Sequence, residues 1–190
     1  MEFFDVLDEQ GKKTGEIIER NEAHKKGICH RVIQVWVINS KNELLLQKRS
    51  ANKDSCPNMW YVSLGGHIES NEDNYQTIIR EFAEELGLDI SNQIDKVKYL
   101  YTFKEIVVLN NGQFIDNEFY DVYLFKMDLD PDTLILQEDE VSEVKFIGYN
   151  EFKQAVINKD QSLWIHDEGF SRLFNYLDNY INGYLFYNKN

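Results

Sequence analysis

Glu81, Glu84 and Glu85 stand close together in the chain, directly after Arg80. On a helix, one turn would bring Glu81 within reach of the other two. Three carboxylates so placed repel one another and weaken their helix unless water or a cation relieves them. Clustered glutamates are usually a solvated face. That reading does not account for the glycines on both flanks, Gly65-Gly66 and Gly87, or for the guanidinium next door. The chemistry open to such a set is the binding of a cation.

The elements that would position this set can be read from periodicity. Ile78, Ile79, Phe82 and Leu86 recur at the spacing of one helix face. They predict a helix from about Asn71 to Leu86, stopped by Gly87. Trp60 to Leu64 reads as a short strand feeding a sharp turn at Gly65-Gly66, where paired glycines would expose backbone groups to a ligand.

The stretch Gly66 to Leu88 resembles the 23-residue signature of the Nudix family. Gly66, Glu72, Arg80, Glu81, Phe82, Glu84, Glu85, Gly87 and Leu88 fill its nine defined positions without insertion. Phe82 is aromatic where an aliphatic residue is typical. Asn71 stands where a glycine often precedes the glutamate, and asparagine tolerates left-handed backbone angles. The resemblance covers roughly Phe3 to Val156. It implies an α/β fold, a mixed β-sheet sandwiched between α-helices, and cleavage of a diphosphate linked to some group X by attack of water on phosphorus.

The same resemblance implies roles at matching positions. Glu81, Glu84 and Glu85 would be metal ligands and catalytic groups, with the Gly65 carbonyl as a further ligand. Arg80 and Glu72 would orient the cluster through charge-assisted bonds; for Glu72, a helix N-terminal carboxylate favoured by the dipole is an equal alternative. Oxygen donors suit Mg2+, with Mn2+ as a substitute. A bound metal lowers the pKa of water and neutralises phosphate oxygens.

A general base lies outside the signature. Asp116, Glu118 and Asp121, or the acidic loop Glu138-Asp139-Glu140, are the candidates, and Glu118 is preferred. Asp116-Asn117-Glu118 is similar to a metal-binding segment of isopentenyl-diphosphate isomerases; solvated hairpin charges are the alternative. Lys48, Arg49 or Lys53 could hold a phosphate, with Arg49 the better bidentate binder. Trp36, Trp60 and Tyr61 could stack on a base, although aromatic strand residues are more often core. The spacing of His24, His30 and His67 gives no closed metal set; His30 reads as an ordinary strand-edge histidine and His67 as a neighbour of the site.

Strands and helices alternate irregularly along the 190 residues, which suits one domain. Its core is expected at about 30–157, with a β-hairpin over 1–20 and a helix over 166–182 as additions. Strands are expected at Phe3 to Leu7, Glu16 to Glu19, Arg31 to Asn39, Leu44 to Arg49, Val97 to Leu109, Gln113 to Met127 and Val144 to Ile147. Asn21 and Asn150 are expected to cap short helices.

A net charge of −13 argues against nucleic acid or an anionic membrane as partner. It would also oppose a phosphorylated substrate, but bound cations reverse the local sign. Two cysteines, Cys29 and Cys56, make no zinc or disulfide framework. The acidic start lacks the features of a signal peptide, and no run is long enough to span a membrane. A cytoplasmic protein with a small-molecule diphosphate substrate is expected, as a possible homodimer through the aromatic tail Tyr184 to Tyr187.

Three functions compete. A magnesium-dependent hydrolase of a nucleoside diphosphate derivative leads. Isomerisation of isopentenyl diphosphate is suggested by Cys29-His30-Arg31, Leu-Leu-Gln-Lys-Arg and Pro57-x-x-Trp60, which resemble that enzyme. Isomerases of this fold use a cysteine beside the Gly-His pair, and this chain has Gly65 there. A silent nucleotide-binding module is third, although such modules lose signature glutamates and none is lost here.

Overall fold

The structure, a computed structural model, describes residues 1–183. Its strands are β1 (Phe3–Leu7), β2 (Lys13–Glu19), β3 (His30–Ile38), β4 (Glu43–Arg49), β5 (Trp60–Tyr61), β6 (Leu64–His67), β7 (Lys98–Leu109), β8 (Phe114–Lys126) and β9 (Val141–Gly148). Its helices are α1 (Arg20–Lys26), α2 (Asn74–Leu86), α3 (Tyr149–Ile157) and α4 (Asp167–Ile181).

β3 is apolar on both faces and lies inside the sheet. Its side chains alternate between two cores. Ile33, Val35 and Val37 join Ile78, Phe82 and Leu86 of α2. Val32, Trp36 and Ile38 join Phe152 of α3 and Phe170, Leu173 and Leu177 of α4. The sheet is therefore sandwiched between helices, as expected. Phe82 is fully buried, so truncation to alanine would cost about 3–5 kcal/mol. No helix among the described residues is long and apolar enough to cross a membrane.

The sheet runs β5-β4-β3-β8-β7, with β6 beside β3 and β9 beside β4. β3 and β8 are parallel over nine residue pairs, His30↔Glu118 to Ile38↔Lys126, while the other pairings are antiparallel. β3 and β4 pair only at Ile38↔Leu44. Beyond that point they splay: β6 pairs with β3 from Val35 to Val32, and β5 pairs with β4 at Gln47 and Lys48. A cleft opens between the diverging arms.

Several local expectations change. Trp60 to Leu64 is not one strand but parts of two, because β5 and β6 attach to different neighbours. Gly65 and Gly66 are not a turn; they lie in β6, paired with Gln34 and Ile33. The signature helix starts three residues later than expected, at Asn74. Asp73 accepts from Gln76 N, and the Gln76 side chain returns a bond to Asp73 N. Asn71 is left-handed (φ 76°), and Gly87 is a left-handed stop (φ 66°). Glu19, not Asn21, caps α1 through Glu22 N, and α3 begins after Gly148 with no side-chain cap, leaving Asn150 inside it.

The two terminal elements both pack against the central part of the chain. The β1–β2 hairpin places fully buried Phe4 against the His30 and His67 rings, stacked at 4.7 Å from each. α4 begins directly after buried His166, whose contacts are described below. The aromatic tail, expected as an interface, lies outside the described residues.

Candidate active site

α2 forms one wall of the cleft. Its register places Glu81 and Glu85 inward, both buried, while Glu84 is more exposed. Arg80 organises this wall. It donates through Nε to Glu72 Oε1 (3.0 Å), through Nη1 to Glu81 Oε1 (2.7 Å) and Glu84 Oε2 (3.2 Å), and through Nη2 to Glu72 Oε2 and the His67 carbonyl (both 3.0 Å). One guanidinium thus ties α2 to β6. Thr77 donates to the same Glu72 carboxylate at 2.8 Å. Burial opposes ionisation of Glu72, but the bonds from Arg80 and Thr77 outweigh it and hold its pKa below the usual range.

Burial pushes Glu81 up to about 7, against Arg80, with the charge of Glu84 adding to the rise. Glu85 is pushed well above the usual carboxylate range by burial and by Glu81. Its Oε2 is buried with no protein partner. The wall therefore holds more carboxylate than the protein itself satisfies, which is what an acidic cation site requires in the free state. Gly66 makes the fit possible: a Cβ there would collide with the Glu81 carboxylate. Gly65 is less constrained, since the nearest atom to an added Cβ would be Val62 Cγ2 at 3.6 Å.

A second cluster lies across the same cleft. His24 of α1, His30 of β3, His67 of β6 and Glu118 of β8 bring one donor atom each within 4.8 Å of one another. His30 Nε2 and His67 Nε2 approach Glu118 Oε1 at 3.1 and 3.3 Å, and His30 Nδ1 donates to the Ile28 carbonyl at 2.8 Å. Both ring nitrogens of His24 are buried without a well-formed hydrogen bond, although Nδ1 lies 3.0 Å from Asp116. Burial works against charge on Glu118, yet the two imidazoles keep it well below the usual carboxylate range. Burial drives His67 down to about 3, whereas the Glu118 bond and charge raise His30 against its burial. Three imidazoles and a carboxylate suit a borderline transition-metal ion better than magnesium.

The sequence missed this set because its members come from four elements. The spacing of His24, His30 and His67 gave no closed set, and the parallel pairing of His30 with Glu118 and the stacking of Phe4 close the group. Asp121, a base candidate, is instead bound to Arg31 Nη1 at 2.9 Å. Glu140 lines the cleft and pairs with Lys53, which lines it too. Arg49 also lines it, its Nε donating to the Ser55 carbonyl at 2.9 Å. Lys48 points elsewhere, reaching Glu143 at 3.4 Å. Trp36 and Trp60 belong to the core, while Tyr61 reaches both core and cleft.

The cleft has a cavity volume of about 170 Å³ and is open to solvent. Glu81, Glu84 and Glu85 line it, as do His24, His67 and Glu118 of the second cluster and Arg49 and Lys53, while His30 is fully buried behind them. A splayed mixed sheet lies between helices, with this acidic helix on its cleft. The chain belongs to the Nudix hydrolase family, enzymes that act on diphosphate bonds; the NUDIX domain model matches residues 29–167. The family uses divalent metal ions.

The chain is 38% identical over 170 residues to Nudix hydrolase 3 of Arabidopsis thaliana, covering 87% of this chain but only 22% of that protein. An uncharacterized Nudix hydrolase of Clostridium acetobutylicum is 34% identical, with 89% and 80% of the two chains covered. An isopentenyl-diphosphate Delta-isomerase of Pectobacterium atrosepticum is 32% identical, covering 80% and 79%. Among solved structures, a Deinococcus radiodurans protein has the same fold: TM-score 0.65, 22% identity, 83% and 90% covered.

Proposed function

We propose that the protein hydrolyses a diphosphate linkage in a nucleoside diphosphate derivative or a similar small molecule, with Mg2+ as cofactor. The observation that carries this reading is the Glu81–Glu84–Glu85 wall, with its unpartnered Glu85 oxygen, facing a cleft that also presents Arg49 and Lys53.

Glu81, Glu84, Glu85 and the Gly65 carbonyl would hold the ion. A divalent cation bound there supplies charge neutralisation for the phosphate oxygens and a lowered pKa for water. Arg80 keeps the carboxylates converged, and Glu72 fixes Arg80. Arg49 and Lys53 offer donors to phosphate oxygens. Glu118, held strongly ionised between two imidazoles, is a weak base for its surroundings. We assign it with His24, His30 and His67 to a second divalent cation. Outside both sets the cleft also presents Glu140, paired with Lys53, and Asp116, 3.0 Å from His24 Nδ1, and these two are the candidates to accept a proton.

Isomerisation is the weaker reading despite the names of some relatives. Gly65 has no side chain to move a proton, and neither Cys29 nor Cys56 lines the cleft. A panel of nucleoside diphosphate derivatives, incubated with and without Mg2+, tests the proposal. Release of a phosphorylated product only with the metal is expected. No turnover of any member with the metal bound would favour a binding module, and conversion of isopentenyl to dimethylallyl diphosphate would favour the isomerase.

A further inference from the structure

Deep in the cleft, away from the carboxylate wall, lies a set of neutral polar groups that hydrolysis of the diphosphate does not use. Gln34 of β3 and Gln47 of β4 sit on the two diverging arms, each nearly fully buried. Tyr61 of β5 stands directly opposite Gln47 in the strand ladder. All three line the cleft, and so does Trp164, whose ring stacks on Tyr61 at a centroid distance of 4.5 Å.

Two of these groups are held in fixed roles from behind. Glu105 of β7 bonds His166 Nδ1, and His166 Nε2 lies 2.8 Å from the Tyr61 hydroxyl. With the ring's Nδ1–H facing the Glu105 carboxylate, Nε2 is the acceptor and Tyr61 donates to it. The Tyr61 oxygen accepts in turn from Gln34 Nε2. The chain Glu105–His166–Tyr61–Gln34 leaves each member one orientation.

Gln47 is different. Its Oε1 is buried and has no hydrogen-bond partner. Buried amide groups are nearly always paired, by protein, water or ligand. As placed, this end of the amide has no partner in the protein. Placed beside an ordered tyrosine and a stacked indole, this amide is suited to a flat or cyclic group bearing hydroxyls or amides. An alkyl chain would leave it unpaired.

We propose that Gln34, Gln47, Tyr61 and Trp164 form the subsite for the substrate's X group, with His166 as its positioning residue. The subsite selects an X group that hydrogen-bonds in the first unit beyond the diphosphate. It rejects simple alkyl groups, because a site built around buried polar atoms discriminates strongly against a ligand that cannot pair them. The assignment rests on the hydrolase reading only for where the diphosphate sits.

Binding of two stable probes by the whole chain with Mg2+ present tests this: α,β-methylene-ADP, whose X group is a nucleoside, and n-pentyl diphosphate, whose X group is alkyl. Calorimetry should show at least tenfold tighter binding of the nucleoside probe. Gln47→Leu should remove most of that preference while binding of pentyl diphosphate and of inorganic pyrophosphate is unchanged. His166→Phe, which keeps a ring but breaks the relay, should reduce the preference and leave pyrophosphate binding alone, a split that general loss of structure would not give. Should either variant fail to fold, Tyr61→Phe removes only a hydroxyl and is expected to reduce the preference likewise. Equal affinity of the native protein for the two probes, or an unaltered preference in Gln47→Leu, overturns the subsite. Probe preference as expected, in a protein that hydrolyses nothing in the panel, supports the subsite while refuting the hydrolase reading.

Discussion

The two donor clusters on the cleft differ in how they are built. The first has three carboxylates on one helix, all within one and a half turns, fixed by a single guanidinium. The second has three imidazoles and a carboxylate drawn from α1, β3, β6 and β8. Helix geometry alone creates the first; tertiary pairing creates the second. Their chemistry differs as well. The oxygen end gathers carboxyl groups whose ionisation burial opposes at Glu81 and Glu85 and which a cation would favour, whereas the nitrogen end pairs its one carboxylate internally.

Removing a donor from the oxygen end should have the largest consequence. Glu85→Gln is expected to lower kcat by about 10³-fold or more, in line with the share of barrier lowering assigned to metal catalysis. It should also raise the thermal midpoint of the metal-free protein at alkaline pH, where it removes the cost of ionising a buried carboxyl, and change it little at acid pH, where burial keeps Glu85 protonated. Steady-state kinetics and a melting curve on one sample check both. Near-normal turnover would erase the distinction between the two ends.

Gly66→Ala probes the same end through the backbone. The added methyl would strike the Glu81 carboxylate, and we expect a loss of about 10²-fold in kcat, the scale of a misplacement of roughly 1 Å. Gly65→Ala meets only ordinary contacts and should stay within about threefold of the parent, the scale of about 0.5 kcal/mol for a change that meets no special feature. Two adjacent glycines with opposite outcomes would show that β6 serves the helix cluster at one residue only. Comparable losses in both variants would count against the steric argument.

These contrasts explain what was legible in the chain. The layers of the fold follow from strand and helix periods, and β3 and α2 were readable because each buries residues at one fixed spacing. The oxygen cluster was readable for the same reason, since its residues are sequence neighbours. Gly65 and Gly66 were misread as a turn because two glycines in a row signal flexibility, while here Gly66 is needed for close approach of a carboxylate. His30 was misread because a lone histidine at a strand end has no periodic meaning. Its partners lie 6 residues before it, 37 after it and 88 after it, and only the β3–β8 register and the Phe4 stack assemble them. His166 and Gln47 gave no signal, being a single polar residue next to a helix start and another within a strand.

At the nitrogen end, His30→Asn should lower affinity for Zn2+ or Mn2+ at that cluster about 10–100-fold or more, the range seen when the shell of a metal site is disturbed. Mg2+ binding at the carboxylates should be unchanged. Titration of the two metals, monitored by calorimetry on parent and variant, separates the ends. A fall in Mg2+ affinity of the same size would mean that the two clusters share one ion, and the comparison would have to be redrawn as a single composite site.

The remaining contrast is in protons. In the metal-free protein Glu81 titrates at about 7, raised by burial, against 4.5 for its unperturbed carboxyl. Its ionisation therefore weakens the folded state, with no penalty below 4.5 and the full penalty above 7. A cation must displace that proton at any pH below 7, so affinity should fall towards tenfold per pH unit as the solution is acidified from there. Above 7 Glu81 imposes no dependence, and cation-induced thermal stabilisation should be larger at pH 8 than at pH 5.5. At the other end, Glu118 and His67 hold no proton in this range, while His30 holds one more tightly than usual. Mn2+ titrations between pH 5.5 and 8 in the His30→Asn variant isolate the helix site from that competing histidine. Affinity independent of pH there would mean that neither Glu81 nor Glu85 holds a proton in the free protein over this range, and burial would not be what distinguishes the oxygen end.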